Sequence, residues 1–167
     1  MAGWKIGIIG GSGLYAIDAL EDPRWIEIET PWGPPSDELL TGRIGAAEFV
    51  FLPRHGRGHR LPPSEVNARA NIDALKRAGC TDVVAISAVG SLREALAPGQ
   101  FVVVDQFIDR TFARAKSFFG PGMVAHVSRA DPTCPRLSAL CAAAARGAGA
   151  DVVQGGSYLA MGGPQFS

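Results

Sequence analysis

No apolar run in this chain approaches the length of a bilayer span, and no basic segment leading into a long apolar core opens it. The patterns of a membrane-spanning protein and of a secretory leader are both lacking, and a cytoplasmic location is expected. Charge of one sign is not in surplus either. The 16 Lys and Arg residues are matched by 16 Asp and Glu, so there is no global field to recruit nucleic acid or an anionic membrane surface, and any basic site must be local. Cysteine is scarce: Cys80, Cys134 and Cys141 are odd in number and lack a metal-type C-x-x-C spacing, so free thiols are expected. Internal repeats, low-complexity tracts and interdomain linkers are also missing. A length of 167 residues suits one domain with a real core, spanning 1–167, and is short for two.

Apolar residues make up 47% of the chain, an ordinary globular share, and they fall into recognisable elements. Residues 5–9 form a short apolar run ending in glycines, which suits a buried strand entering a turn. Residues 25–29 alternate apolar and polar before Thr30-Pro31, as a half-buried strand does. Leu39–Ile44 and residues 47–52, separated by Gly45 and Ala46, read as a hairpin whose second strand runs into "PRHGRGHR". The spacing of Val66, Ala70 and Leu75 predicts a helix over 64–79, with Ser64 as N-cap and Gly79 as the stop. "DVVAISAVGSL" then reads as a buried strand, 101–104 as another, 135–146 as an alanine-rich helix closed by Gly147, and Ser157–Met161 as a last strand. The connection over 105–134 has no clean period, and loops of that length are often functional. A hairpin inserted among alternating strands and helices favours an α/β fold around a mixed central β-sheet flanked by helices.

The cluster in "GIIGGSGLYA" admits three readings. Gly11, Gly13 and Ala16 fit the G-x-G-x-x-A spacing of a dinucleotide fingerprint, with Glu29 near the place of its ribose-binding acid. The same turn could cradle an inorganic anion on its amides, or bind nothing. A dinucleotide fold needs a crossover of about a dozen residues before its second strand. "LYAIDALED", ahead of Pro23, holds one short helix at best, which counts against a nicotinamide cofactor.

"RHGRGHR" favours the anion. Arg54 offers a planar fork of donors and His55 can add another beside it, although the same string also fits a solvated basic loop. His55 and His59 make a poor metal pair, because Gly56 and Gly58 disfavour a helix and no Cys or carboxylate lies near in sequence. The lack of interleaved aromatics speaks against nucleic acid. In "AISAVGSL", Ser87 and Ser91 stand at a strand end with Gly90 between them, where α/β sheets gather ligands. A core strand meeting a turn would give the same string.

Taken together, "IGIIGGSGLY", "PRHGRGHR" followed by "PPSEVNARANIDALK", "AVGSLRE", "PGQFVVVDQFIDRT", "KSFFG" with "VAHV", and "GGSYLAMGGPQFS" resemble the purine nucleoside phosphorylase family across essentially the whole chain. "RHGRGH" fits the methylthioadenosine-cleaving branch better than the six-oxopurine branch. The resemblance implies a three-layer α/β sandwich and phosphorolysis of S-methyl-5'-thioadenosine to adenine and 5-methylthioribose 1-phosphate. Phosphate would attack the anomeric carbon while the sugar gains oxocarbenium-like charge, as in other glycosyl transfers. By the same resemblance Ser12, Arg54, His55, Ser87 and the amide of Ala88 would hold phosphate. Ala88, Val89 and Gly90 would line the base pocket, Met161 and Phe166 would pack on the nucleoside, and His126 would reach a neighbouring subunit's site in a homotrimer. Phosphate is a co-substrate, and neither metal nor organic cofactor is implied.

Two departures from the family pattern carry expectations of their own. Gly162 stands where related phosphorylases carry an acid, and it supplies neither charge nor rigidity near the sugar. Family chains also continue past this point, so the resemblance implies an N-terminal portion or a truncated product. The group that assists the departing purine, aspartate for six-amino and asparagine for six-oxo bases, is expected in that continuation, and no catalytic acid is assigned within 1–167. Such assistance is commonly worth about 10² to 10⁴ in rate. Alternatives are an enzyme acting on inosine, guanosine or methylthioinosine, and a noncatalytic remnant that binds phosphate or nucleoside.

Overall fold

The computed structural model describes residues 3–11 and 17–162. They fall into two compact units, Met1–Ala88 with Ala115–Phe118, and Val89–Arg114 with Phe119–Ser167. The fold is mixed α/β.

The first unit is built on a mixed five-stranded sheet in the order β2-β3-β4-β1-β5. The strands are β1 (Lys5–Gly10), β2 (Glu21–Ile26), β3 (Leu39–Ile44), β4 (Ala47–Pro53) and β5 (Asp82–Ala85). The expected hairpin forms β3 and β4, which pair antiparallel with Ile44 opposite Ala47. Strand β1 lies between β4 and β5 and runs parallel to both, with Gly10 opposite Pro53 and Ile9 opposite Ala85. The C-terminal ends of three parallel strands therefore lie side by side.

One helix, α1 (Ala68–Arg77), packs on this sheet. Its buried residues Ala70, Asn71, Ala74 and Leu75 share one face. Ala74 and Leu75 join Leu39, Val50 and Leu52 in the core, where burying a leucine stabilises by about 1.5–3 kcal/mol. The helix comes close to β1 at Gly7, where a Cβ would sit 3.2 Å from Cys80 Sγ and 3.3 Å from Leu75 Cδ2. It starts later than Ser64. Asn67 is the cap, accepting from the Ala70 amide at 3.2 Å while its Nδ2 donates to the Trp32 carbonyl at 2.8 Å. Gly79 ends it as expected, at φ +86, with the Cys80 and Gly79 amides donating to the Leu75 and Lys76 carbonyls.

Two strands of this unit differ from the sequence reading. β2 lies over Glu21–Ile26, not 25–29, because its partner β3 begins at Leu39, opposite Ile26, where their pairing ends. A register shift between Glu21 and Arg24, with Asp22 at φ +51, broke the alternation that would have marked it. β5 is half-exposed, not buried, since among the described residues it forms the sheet edge with β1 alone beside it. Residues 17–20 form a turn closed by the Leu20 amide on the Ile17 carbonyl, and no helix precedes Pro23 among the described residues.

The second unit holds two parallel pairs of strands, β6 (Phe101–Val103) with β8 (Val152–Gln154) and β7 (Gln106–Arg110) with β9 (Ser157–Met161). Its helix α2 (Pro135–Gly147) packs on β6 and β8, and Arg146 donates to Gln154 Oε1 at 3.1 Å. β7 and β8 were not anticipated. In "QFIDR" the apolar pair Phe107-Ile108 is adjacent and not alternating, and Val152–Gln154 is too short for a period. Gly149, at φ +85, terminates α2, whereas Gly147 lies inside it. β6 is also less buried than its composition suggested, with Phe101 exposed. Among the described residues no helix is long and apolar enough to cross a membrane.

Candidate functional site

The candidate residues of the first unit gather where β4, β1 and β5 end. The Arg54 amide donates to the Gly10 carbonyl at 3.0 Å, and the Ile86 amide donates to the Ile9 carbonyl at 2.8 Å. Strand pairing thus carries one residue past β4 and β5 before both chains turn away. Beyond those turns the Arg54 side chain crosses the end of β1, and its Nη1 donates to Ser87 Oγ at 2.5 Å. A guanidinium fork beside a serine hydroxyl is a donor set suited to a phosphate-like oxyanion. Ser12 lies outside the described residues, as does Phe166. Gly11, the last described residue before Ser12, directly follows the strand end between the two side chains.

His55 is buried and both ring nitrogens are engaged. Its Nδ1 lies 2.9 Å from the Leu61 carbonyl oxygen, which only accepts, so Nδ1 carries a proton and donates. Its Nε2 lies 3.2 Å from Arg54 Nε, which only donates, so Nε2 accepts. The hydrogen bonds thus define the neutral Nδ1–H tautomer. In this arrangement the imidazole orients Arg54. To donate to an anion itself, the ring would have to release Arg54 Nε and gain a proton on Nε2. His59 stacks on the ring with centroids 4.6 Å apart.

The three arginines of "RHGRGHR" divide by role. Arg54 turns to Ser87, whereas Arg57 and Arg60 turn to Asp37, a loop residue just ahead of β3 that is 8% exposed. Asp37 Oδ2 accepts from the Arg57 amide at 2.6 Å, and Oδ1 accepts from Arg57 Nε at 3.2 Å and Nη2 at 2.9 Å. Arg60 Nη2 is 3.5 Å from Oδ2 and donates to the Ser36 carbonyl at 2.8 Å. Burial alone would raise the Asp37 carboxyl. The donors of Arg57, the Glu38 amide and the Arg57 charge together outweigh that and hold it below the ordinary carboxylate range. Arg57 is further fixed by Glu38 at 2.6 Å and by lying 4.1 Å over the Trp25 ring.

Below this lies a buried polar pair. Asn71 of α1 accepts from the Ser36 amide through Oδ1 at 2.8 Å and donates from Nδ2 to Ser36 Oγ at 2.9 Å. The loop over 54–60 is therefore tied through Asp37 and Ser36 to the helix. Its chain reversals use positive φ at Gly56, Gly58 and His59. At Gly56 a Cβ would also sit 2.8 Å from Arg60 Nε and 3.1 Å from the Ser36 carbonyl oxygen. Sequence reasoning passed over Ser36, Asp37 and Asn71. The available signal was Asn71 itself, a polar side chain within the apolar stripe of α1.

Ala88 is exposed and follows Ser87 in the first unit. Val89, Gly90, His126 and Met161 belong to the second unit, all of them exposed, with Met161 closing β9 opposite Arg110. Gly162, also in that unit, approaches an aromatic ring: a Cβ there would lie 2.8 Å from Phe112 Cε1. Among the described residues no group of three His, Cys, Asp or Glu side chains is placed to hold a metal ion.

A mixed sheet with an arginine fork and a serine hydroxyl at the ends of its parallel strands defines an α/β protein with a cationic, hydroxyl-bearing cluster there. Comparison with known proteins gives the narrower assignment. The chain belongs to the phosphorylase superfamily, whose sequence profile matches residues 5–167. It is 68% identical over 162 residues to an S-methyl-5'-thioadenosine phosphorylase of Cereibacter sphaeroides, covering 97% of this chain and 56% of the relative. A phosphorylase of the same name from Geobacter sulfurreducens is 58% identical over 163 residues, covering 97% and 57%. Among solved structures, a methylthioadenosine phosphorylase from an antarctic soil metagenomic library superposes with a TM-score of 0.94 at 48% identity, covering 99% of this chain and 58% of that one. The methylthioadenosine phosphorylase of Schistosoma mansoni in complex with adenine gives 0.91 at 40% identity, covering 98% and 67%. The chain thus spans little more than half the length of the curated relatives it matches.

Proposed function

We propose that this chain carries the phosphate-holding part of an enzyme that cleaves S-methyl-5'-thioadenosine with inorganic phosphate, giving adenine and 5-methylthioribose 1-phosphate. The observation that carries the reading is the Arg54–Ser87 contact across the end of β1. It sets a charged fork and a hydroxyl beside the glycines that end β1, and the phosphorylases named above support the same activity. Held there, phosphate would be positioned as the nucleophile while the bond from sugar to purine loosens. Such chemistry rests mainly on positioning and on charge stabilisation in a site that need not reorganise. Ser12 and the Ala88 amide would complete the phosphate shell. Ala88, Val89, Gly90, Met161, Phe166 and His126 would contact the nucleoside, His126 from a neighbouring copy in a homotrimer working in the cytoplasm.

The test is phosphate-dependent release of adenine from methylthioadenosine, with Arg54→Ala alongside. Removing a charged donor from the anion should lower kcat/KM, or orthophosphate affinity where turnover is slow, by about 10- to 100-fold, given about 1.5–3 kcal/mol for a hydrogen bond to a charged group. A chain whose orthophosphate uptake is the same with and without Arg54 refutes the assignment.

A further inference from the structure

Asp37 has no part in the chemistry proposed above, yet the folded chain places five donors or cations around it: the amides of Glu38 and Arg57, Arg57 Nε and Nη2, and Arg60 Nη2. Its two oxygens grip the middle of the 54–60 loop, at the backbone and the side chain of residue 57 together. That loop needs an external hold. Gly56 and Gly58 turn it at φ +71 and +76, and His59 sits at +55, where a side chain is unfavourable. The hold is itself anchored, since the neighbouring Ser36 is bound at its amide and hydroxyl by the buried Asn71 of α1. At the other end of the loop, the Leu61 carbonyl accepts a hydrogen bond from His55 Nδ1, and His55 Nε2 aligns Arg54 Nε, leaving Nη1 to meet Ser87.

We propose that Asp37 is the positioning residue of the anion loop: its carboxylate fixes the loop at Arg57 and Arg60, and through Leu61 and His55 it sets the direction of the Arg54 fork. The inference rests on the phosphate reading above and deepens it. Glu38 shares Arg57 with Asp37 but is more exposed and reaches only the guanidinium, so it cannot fix the backbone. Asparagine at position 37 would keep the shape and one acceptor while giving up the charge and the second acceptor, so the loop loses its grip without a cavity forming.

Orthophosphate titration of the full chain, of Asp37→Asn and of Leu75→Val, with the His55 ring nitrogens followed by NMR, tests this. Asp37→Asn should weaken orthophosphate binding by about tenfold, equivalent to about 1.4 kcal/mol, and should replace the single Nδ1–H pattern of His55 with exchanging tautomers. Leu75→Val, a core truncation that removes none of the loop's hydrogen bonds, should lower the melting temperature yet keep the affinity within about twofold. The proposal is overturned if Asp37→Asn binds as the unsubstituted chain does, or if Leu75→Val loses as much affinity. Should the unsubstituted chain take up no orthophosphate, the phosphate reading falls. The His55 signal then decides the positioning role alone: altered by Asp37→Asn it stands, unaltered it is refuted.

Discussion

Replacing Asn71 by leucine isolates the polar clamp beneath the 54–60 loop from ordinary packing. Asn71 is 3% exposed and its partner Ser36 is 1% exposed, so water cannot readily replace the amide. Leucine has a similar volume but offers neither the acceptor for the Ser36 amide nor the donor for its hydroxyl. Two such bonds at about 0.5–1.5 kcal/mol each, plus about 1–3 kcal/mol for a stranded buried donor, put the expected loss at roughly 2–6 kcal/mol. Urea unfolding followed by tryptophan fluorescence and far-ultraviolet circular dichroism reads this directly. With a slope of about 2 kcal/mol/M, the midpoint should fall by roughly 1–3 M. Ser36→Ala completes a double-mutant cycle. Alone it removes only the hydroxyl bond, for about 1 kcal/mol. Combined with Asn71→Leu it should cost less than the sum by about 1 kcal/mol, because the shared bond is lost once. A loss below about 1 kcal/mol for Asn71→Leu, or additivity within about 0.5 kcal/mol, refutes the clamp.

Two further outcomes follow from contacts in the same unit. The Asp37 carboxyl titrates lower in the folded chain than in the unfolded one, so its stabilisation is fully present above the ordinary carboxylate value of 3.8 and is lost as pH falls through the lowered folded value. Melting temperature scanned downward from pH 6 should therefore fall more steeply for the unsubstituted chain than for Asp37→Asn, and parallel curves would contradict the assignment. Gly7→Ala drives a methyl against Cys80 Sγ and Leu75 Cδ2 and should cost about 1–3 kcal/mol by overpacking. Thermal melting should show part of this recovered in Gly7→Ala/Cys80→Ala, where the sulfur has been removed.

The hairpin of β3 and β4 was legible because both strands are apolar and a glycine turn joins them, and α1 because its apolar positions recur at helical spacing up to Gly79. β7 escaped notice because parallel pairing with β9 requires no alternation in "QFIDR", and β8 because three residues carry no period. Of the candidate site, Arg54 and Ser87 could be singled out as residues at strand ends. Their mutual contact could not, since it depends on β1 lying between β4 and β5, a matter of strand order and not of any local string. Asp37 left no trace in the sequence because its partners lie about twenty positions downstream, beyond the range of helix or hairpin spacing. The placement of Phe112 beside Gly162 was equally hidden, although it gives the glycine a steric context that the comparison of motifs lacked.

The Arg54–Ser87 contact joins residues 33 positions apart, and the chain between them includes the whole of α1. Its two side chains stand at the ends of β4 and β5, so docking of both strands on β1 already meets the entropy of closing that long loop. An ion lodged at that junction would be linked to the cooperative folding of the entire first unit and not to one hairpin, and saturating it should slow the unit's global opening while leaving the fraying of outer strand β2 untouched.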